Sequence, residues 1–194
     1  MRTYDLVELQ KKVCEKLPEK RFRHTMGVAH TAANMAMRYE CDMEQAFIAG
    51  LFHDIAKCYS DEKLLEKCEK YHIEVTEAEK NAPYLLHGKV GAYQAEHKYN
   101  IDDSDILDAI RYHTTGKPDM SLLGKIIFTA DYIEPGRPLV DGLNEVRKMV
   151  YLNLDKTVCM ILEHTINYLE VSGKKKIDPM TQNAYDFYVK NITE

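Results

Sequence analysis

Gly50-Leu51-Phe52-His53-Asp54-Ile55-Ala56-Lys57 closes a strongly apolar helical run with an imidazole and a carboxylate side by side. An imidazole beside a carboxylate, flanked by Leu51, Phe52, Ile55 and Ala56, is costly to bury unless something pairs the two groups. A divalent cation does so, taking a neutral imidazole nitrogen and a carboxylate oxygen together. Alone the pair is weak evidence, because histidine next to aspartate is common. Its weight comes from His24, His87, His113 and Asp131, which fall on inward-facing helical positions elsewhere in the chain.

Working outward, the pattern reads as helix almost throughout. Leu6, Leu9, Val13 and Leu17 keep helical spacing and stop at Pro18. A second helix is expected from about Arg21 to Tyr39. Asp42, with Gln45 three residues later, starts a third that carries His53-Asp54. Ser60 caps a charged helix to about Tyr71. Thr76-x-x-Glu79 is a capping box, and Pro83 opens a longer helix to about Tyr99. Further helices begin at Asp103 or Ser104, at Ser121 (stopped by Pro135-Gly136), at Asp155 and at Asp178-Pro179. No alternating apolar pattern long enough for a sheet, no repeat and no linker is visible. The expected fold class is all-α, a single helical bundle over residues 1–194. Its motif-bearing core spans about 21–140, with C-terminal helices 141–194 packing on it.

Composition bounds the function. The 194 residues are 45% hydrophobic and 29% charged, with no apolar run near the ~20 residues a membrane span needs. The N-terminal residues have no signal-peptide layout. Five cysteines without Cys-x-x-Cys spacing read as reduced thiols of a cytoplasmic protein. A formal net charge of −5 gives no electrostatic case for nucleic acid as a partner.

His24 lies four before Val28, Asp54 three after Leu51, His113 three after Ile110, and Asp131 four after Ile127. Each polar group therefore points to the side its helix buries. His87 follows Leu85-Leu86, with Gly88 and Gly91 leaving room for close backbone approach behind it. One buried histidine is most simply a satisfied core residue. Four imidazoles and two carboxylates from five helices would need a large polar network if no metal were present. His30, His72, His97 and His164 read as surface residues, and Lys174-Lys175-Lys176 as a solvated loop.

The succession Arg21-x-x-His24, His53-Asp54-x-x-Lys57, His87-Gly88, His113-Thr114-Thr115 and Ala130-Asp131-Tyr132-Ile133-Glu134-Pro135-Gly136-Arg137 resembles the HD-domain superfamily of metal phosphohydrolases. More closely it is similar to the bacterial YqeK family of symmetrical diadenosine tetraphosphate hydrolases. Ile177-x-Pro179-x-Thr181-x-x-x-Tyr185 extends the likeness towards the C-terminus. The resemblance implies a two-metal site: His24, His53, Asp54 and Asp131 on one ion, with Asp54 bridging to a second held by His87 and His113. A carboxylate has two oxygens and can bridge, whereas each imidazole nitrogen binds one metal. Mixed ligation of this kind suits iron, manganese, cobalt or zinc, and the resemblance favours iron.

The activity so implied is hydrolysis of diadenosine tetraphosphate to two ADP by water activated between two ions ~3.5–4 Å apart. Asp54 and Lys57 are the candidate catalytic residues, Lys57 sharing the face of His53 and Asp54. Arg21, Lys57, Lys89, Thr114, Thr115, Tyr132 and Arg137 are the candidate substrate contacts. Two divalent ions outweigh two aspartates locally, so an acidic protein can hold a polyphosphate. The expected partner is a small dinucleoside polyphosphate or nucleotide, with no nucleic acid, no membrane and a homodimer left open. Three other readings stand beside this one: an HD-type nucleotidase acting on another nucleotide, a metal- and nucleotide-binding sensor without turnover, and a helical scaffold with a satisfied polar core.

Overall fold

The first N–H groups of a helix lack intrahelical acceptors. Asp5, Asp42, Ser60, Thr76, Asp103, Ser121 and Asn153 each supply a side-chain oxygen to such a group. In the computed structural model, which describes residues 4–173 and 176–193, the chain forms α1 (Leu6–Lys16), α2 (Glu19–Tyr39), α3 (Met43–Phe52) and α4 (Asp61–Tyr71). After these come α5 (Glu77–Asn81), a 3-10 turn (Pro83–Leu86), α6 (His87–Tyr99), α7 (Ser104–Tyr112) and α8 (Leu122–Ile133). The last three are α9 (Leu143–Met149), α10 (Leu154–Ser172) and α11 (Pro179–Thr193). There is no strand among the described residues, as the missing alternation implied, and none of their helices is long and apolar enough to cross a membrane.

Four details depart from the sequence reading, each for a local reason. First, α3 ends at Phe52, so His53 is its C-cap and Asp54 stands in the turn beyond. Second, the helix expected from Pro83 is broken: Pro83–Leu86 is 3-10, and the α-helix starts only at His87. Third, Gln45 does not fold back on Asp42; its amide donates to Asp103 Oδ2 (2.7 Å), tying the start of α3 to the cap of α7. Fourth, α9 was not foreseen, being seven residues long and following Gly142 without a side-chain cap. Lys174 and Lys175 lie outside the described residues.

Burial then assembles these pieces. α2 packs along α3 and across α8, while α6 leans on α7 and α7 on α8. One apolar cluster runs from Leu9 and Val13 through Val28, Phe52, Ile110 and Ile127 to Tyr188. The Tyr188 hydroxyl accepts from the Met120 N–H (3.0 Å), fastening α11 to the approach to α8. A smaller cluster of Ala56, Leu64, Cys68, Leu86 and Val90 lies beneath α4 and the 3-10 turn. The His53-Asp54 turn runs between the two, so a polar centre lies where their boundaries meet.

The α6–α7 approach sets the spacing of His87 and His113. A Cβ at Gly88 would come within 2.5 Å of the Arg111 carbonyl oxygen, whereas one at Gly91 would make an ordinary 3.4 Å contact with Ile55. Gly88→Ala is expected to lower the unfolding free energy by about 1–3 kcal/mol, the usual cost of overpacking. Gly91→Ala, offset by alanine's better helix propensity, should stay within about 1 kcal/mol. Denaturant unfolding of both variants checks this; equal losses would contradict it.

Candidate metal centre

Three of the candidate histidines stand at helix ends. His53 follows the last turn of α3, His113 the last turn of α7, and His87 the 3-10 turn. Each Nδ1 donates to a carbonyl three residues earlier: His53 to Gly50 (2.6 Å), His87 to Tyr84 (2.5 Å) and His113 to Ile110 (2.7 Å). Carbonyls in a helix's last turn lack intrahelical donors, so the rings cap them. A carbonyl only accepts, which puts the proton on Nδ1 and leaves the neutral ring's lone pair on Nε2.

All these Nε2 atoms turn to Asp54. Its Oδ1 lies 3.2 Å from His87 Nε2 and 3.6 Å from His113 Nε2. Its Oδ2 lies 3.4 Å from His53 Nε2 and 3.9 Å from His24 Nε2. Asp131, on α8, approaches the second side, with Oδ1 3.0 Å from His24 Nε2 and 3.9 Å from His53 Nε2. Two groups with the spacing of metal ligands result, His24/His53/Asp131 and His53/Asp54/His113. His87 belongs beside the second by its 3.0 Å contact with His113 Nε2.

This donor set fits cations. The Nε2 atoms of His24 and His53 are buried and have no hydrogen-bond partner, although carboxylate oxygens lie close by. At 3.0 Å, the His87 and His113 lone pairs face each other beside a carboxylate oxygen, and neither can donate while neutral. The Thr114 hydroxyl, 3.0 and 3.3 Å from the two nitrogens, has one hydrogen to give. Burial drives the His87 pKa down to about 4, with the His113 and Lys57 charges adding to it, so this ring is neutral at neutral pH, the form that binds metal. Burial would also lower His53, but the charge of Asp54 reverses that and raises it. Burial would raise both carboxyls. The His53 charge, with the His113 and His87 rings, instead holds Asp54 well below the usual carboxylate range. The His24 ring, His53 and Arg137 do the same for Asp131.

Basic residues ring the cluster. The Arg21 guanidinium donates to Asp54 Oδ2 (2.7 Å). Arg137 grips Asp131 twice, through its carbonyl (2.7 Å) and Oδ1 (2.8 Å). Lys57 Nζ is 3.4 Å from both ring nitrogens of His87, which places it over the ring face. Thr115 Oγ1 donates to the Gly116 carbonyl. Lys89 departs from the rest: its ammonium is engaged by Glu79 Oε2 (2.7 Å) and the Glu74 carbonyl (3.0 Å). Tyr132 reaches towards α10, its hydroxyl 3.2 Å from His164 Nδ1. His164 is accordingly half-buried and partnered instead of lying free on the surface; His30, His72 and His97 are exposed.

The reading of the sequence missed Glu134. Its Oε1 lies 3.0 Å from His24 Nδ1, giving that ring the acceptor which backbone carbonyls give the other three. Its Oε2 accepts from the Gly136 N–H (2.5 Å), and a Cβ at Gly27 would stand 2.6 Å from the same oxygen. The signal lay in Glu134-Pro135-Gly136, but the acid sits just beyond a helix stop, where a surface position is the simpler expectation.

Known proteins resemble this chain over most of its length. The HD domain model matches residues 21–136. The symmetrical bis(5'-nucleosyl)-tetraphosphatase of Bacillus subtilis is 38% identical over 91% of this chain and 94% of its own. The Staphylococcus aureus protein of the same name is 40% identical over 80% of each chain. A crystal structure from Clostridium acetobutylicum, named a predicted HD superfamily hydrolase involved in NAD metabolism, superposes with a TM-score of 0.93. It is 38% identical, over 98% of this chain and 100% of that one. The chain belongs to the HD domain family and, within it, to the group of the symmetrical bis(5'-nucleosyl)-tetraphosphatases.

Outer partners of ligating histidines are typically worth 10–100-fold in metal affinity. Glu134→Ala is therefore expected to weaken metal binding by about 10–100-fold in chelator competition, with helix content by circular dichroism retained. Gly27→Ala, which displaces the same carboxylate, should act in the same direction. Unchanged affinity in both would remove Glu134 from the metal site.

Proposed function

We propose that this protein hydrolyses diadenosine tetraphosphate symmetrically, to two ADP. Two divalent ions would be held, one by His24, His53, Asp54 and Asp131 and the other by Asp54, His87 and His113. One observation carries the reading. Asp54 divides its oxygens, Oδ1 towards His87 and His113 and Oδ2 towards His53 and His24, in a chain aligned nearly end to end with symmetrical tetraphosphatases. Iron is the proposed metal, with manganese, cobalt and zinc compatible with the same donors. When bound, such ions supply Lewis acidity and bring the pKa of water near neutrality. All five cysteines are free thiols, which supports a cytoplasmic setting.

The protein's own groups do the rest. Arg21 and Arg137 are about two-fifths exposed, so each has N–H groups left to fork phosphate oxygens while still holding its aspartate. Water attacks an inner phosphorus in line, the P–O bond of the central bridge breaks, and one ADP departs on its terminal phosphate oxygen. That leaving group is itself a weak base, so no strong general acid is needed. Lys57, above His87, donates to the departing oxygen and stabilises its charge. The Thr114 hydroxyl stands between the two rings, where it can hold a phosphate oxygen.

Chromatography of the nucleotides formed by metal-loaded protein tests the reading: ADP is expected as sole product, and ATP plus AMP would reject symmetric cleavage. Asp54→Ala should lose metal and at least about a hundredfold in activity, beyond what outer partners cost. Lys57→Ala should keep its metal and lose about 10²–10³ in kcat, as for a lost donor to developing charge.

A further inference from the structure

Between α8, the segment before α9 and α10 the fold leaves an open recess of about 900 Å³, within the range of small-molecule sites. Its walls include Tyr132, Val140, His164, Asn167 and Tyr168. Tyr132 follows Asp131 on α8, and Val140 and Asp141 follow Arg137 by three and four residues, so the recess is walled by the segments that carry two of the candidate site residues. Tyr132 and His164 meet on one wall, their ring centroids 6.3 Å apart and tilted by 44°, with the Tyr132 hydroxyl 3.2 Å from His164 Nδ1. Tyr168, one turn beyond His164 on α10, is 70% exposed, and Val140 is 55% exposed. Gly142, at φ +79 with His164 directly against it, turns the segment from Arg137 back along this wall.

Along the chain from Asp131 the chemistry changes in order. Arg137 stands first, on Asp131, and suits phosphate. Asp141, on the recess wall, repels phosphate but accepts from sugar hydroxyls. The aromatic faces follow, with the Asn167 amide, which has both a donor and an acceptor for the edge of a base. Phosphate, ribose and base occur in that succession at either end of a dinucleoside polyphosphate.

We propose that this recess takes one nucleoside end of the substrate, its ribose at Asp141 and its base against Tyr168 and Tyr132. The proposal rests on the function proposed above and adds a specificity site to it. The exposed apolar side chains then have an occupant, and the bound base lies where it adds affinity without touching the reacting phosphorus.

The test pairs ADP binding by calorimetry with steady-state hydrolysis of diadenosine tetraphosphate, both on metal-loaded protein. Tyr168→Ala is expected to weaken ADP binding and raise KM by about 10–100-fold, the worth of one stacked base, with kcat retained. Tyr168→Phe should restore both. Tyr151→Ala, on an exposed tyrosine outside the recess, is the control and should change neither. Unchanged ADP affinity in Tyr168→Ala overturns the proposal, as does a wild type that fails to bind ADP. A change in sedimentation without a change in ADP binding also overturns it, making the patch a contact between copies of the chain. Tyr168-dependent ADP binding in a wild type that forms no ADP from the tetraphosphate would sustain the recess and reject the hydrolytic reading alone.

Discussion

A carboxylate cannot remain charged in an apolar interior without compensation, and Asp54, 3% exposed, is the point on which this architecture turns. The Arg21 guanidinium on Oδ2 supplies part of that compensation, and four imidazoles surround the two oxygens with Nε2 lone pairs that a cation would join to the carboxylate. These groups arrive on four segments, Arg21 and His24 both from α2, so satisfying one carboxylate fixes the mutual placement of α2, α3, α6 and α7. Removing it would leave buried imidazoles aimed at nothing.

The histidines are held by the same devices that end helices. Carbonyls of Gly50, Tyr84 and Ile110 would be left short of donors where their helical turns stop, and the His53, His87 and His113 rings provide those donors. One contact thus closes a turn, selects the tautomer and aims Nε2. Groups placed in this way need little rearrangement to accept a cation, which is the sense in which a site is preorganised.

That device also explains what could be read from the chain beforehand. Helical spacing located His24, Asp54, His113 and Asp131 on buried sides because the apolar neighbours at three and four residues are the ones that pack. It could not show that His53 and His113 lie just past their helices, since a C-cap residue still has helical φ and ψ. Nor could spacing reveal Glu134, whose partner His24 is 110 residues away and is reached only through the packing of α2 on α8. The missed α9 has a similar cause: its buried Leu143 and Val146 are too few for periodicity to speak. Lys89 shares a helix with His87, but spacing along that helix does not show that its ammonium meets Glu79 on α5.

The overall charge of −5 would oppose a tetraphosphate at long range, yet the field that matters is local. Surface charges are screened within ~8–10 Å, whereas those at a partly buried centre are screened far less. Arg21 and Arg137 each rest on one of the aspartates, so part of their charge is set against carboxylates. Cations entering the cluster would take over that neutralisation and leave the guanidinium charge available to phosphate. On the proposed function the two arginines would couple metal loading to anion binding, and polyphosphate affinity would follow the occupancy of the centre instead of the net charge of the protein.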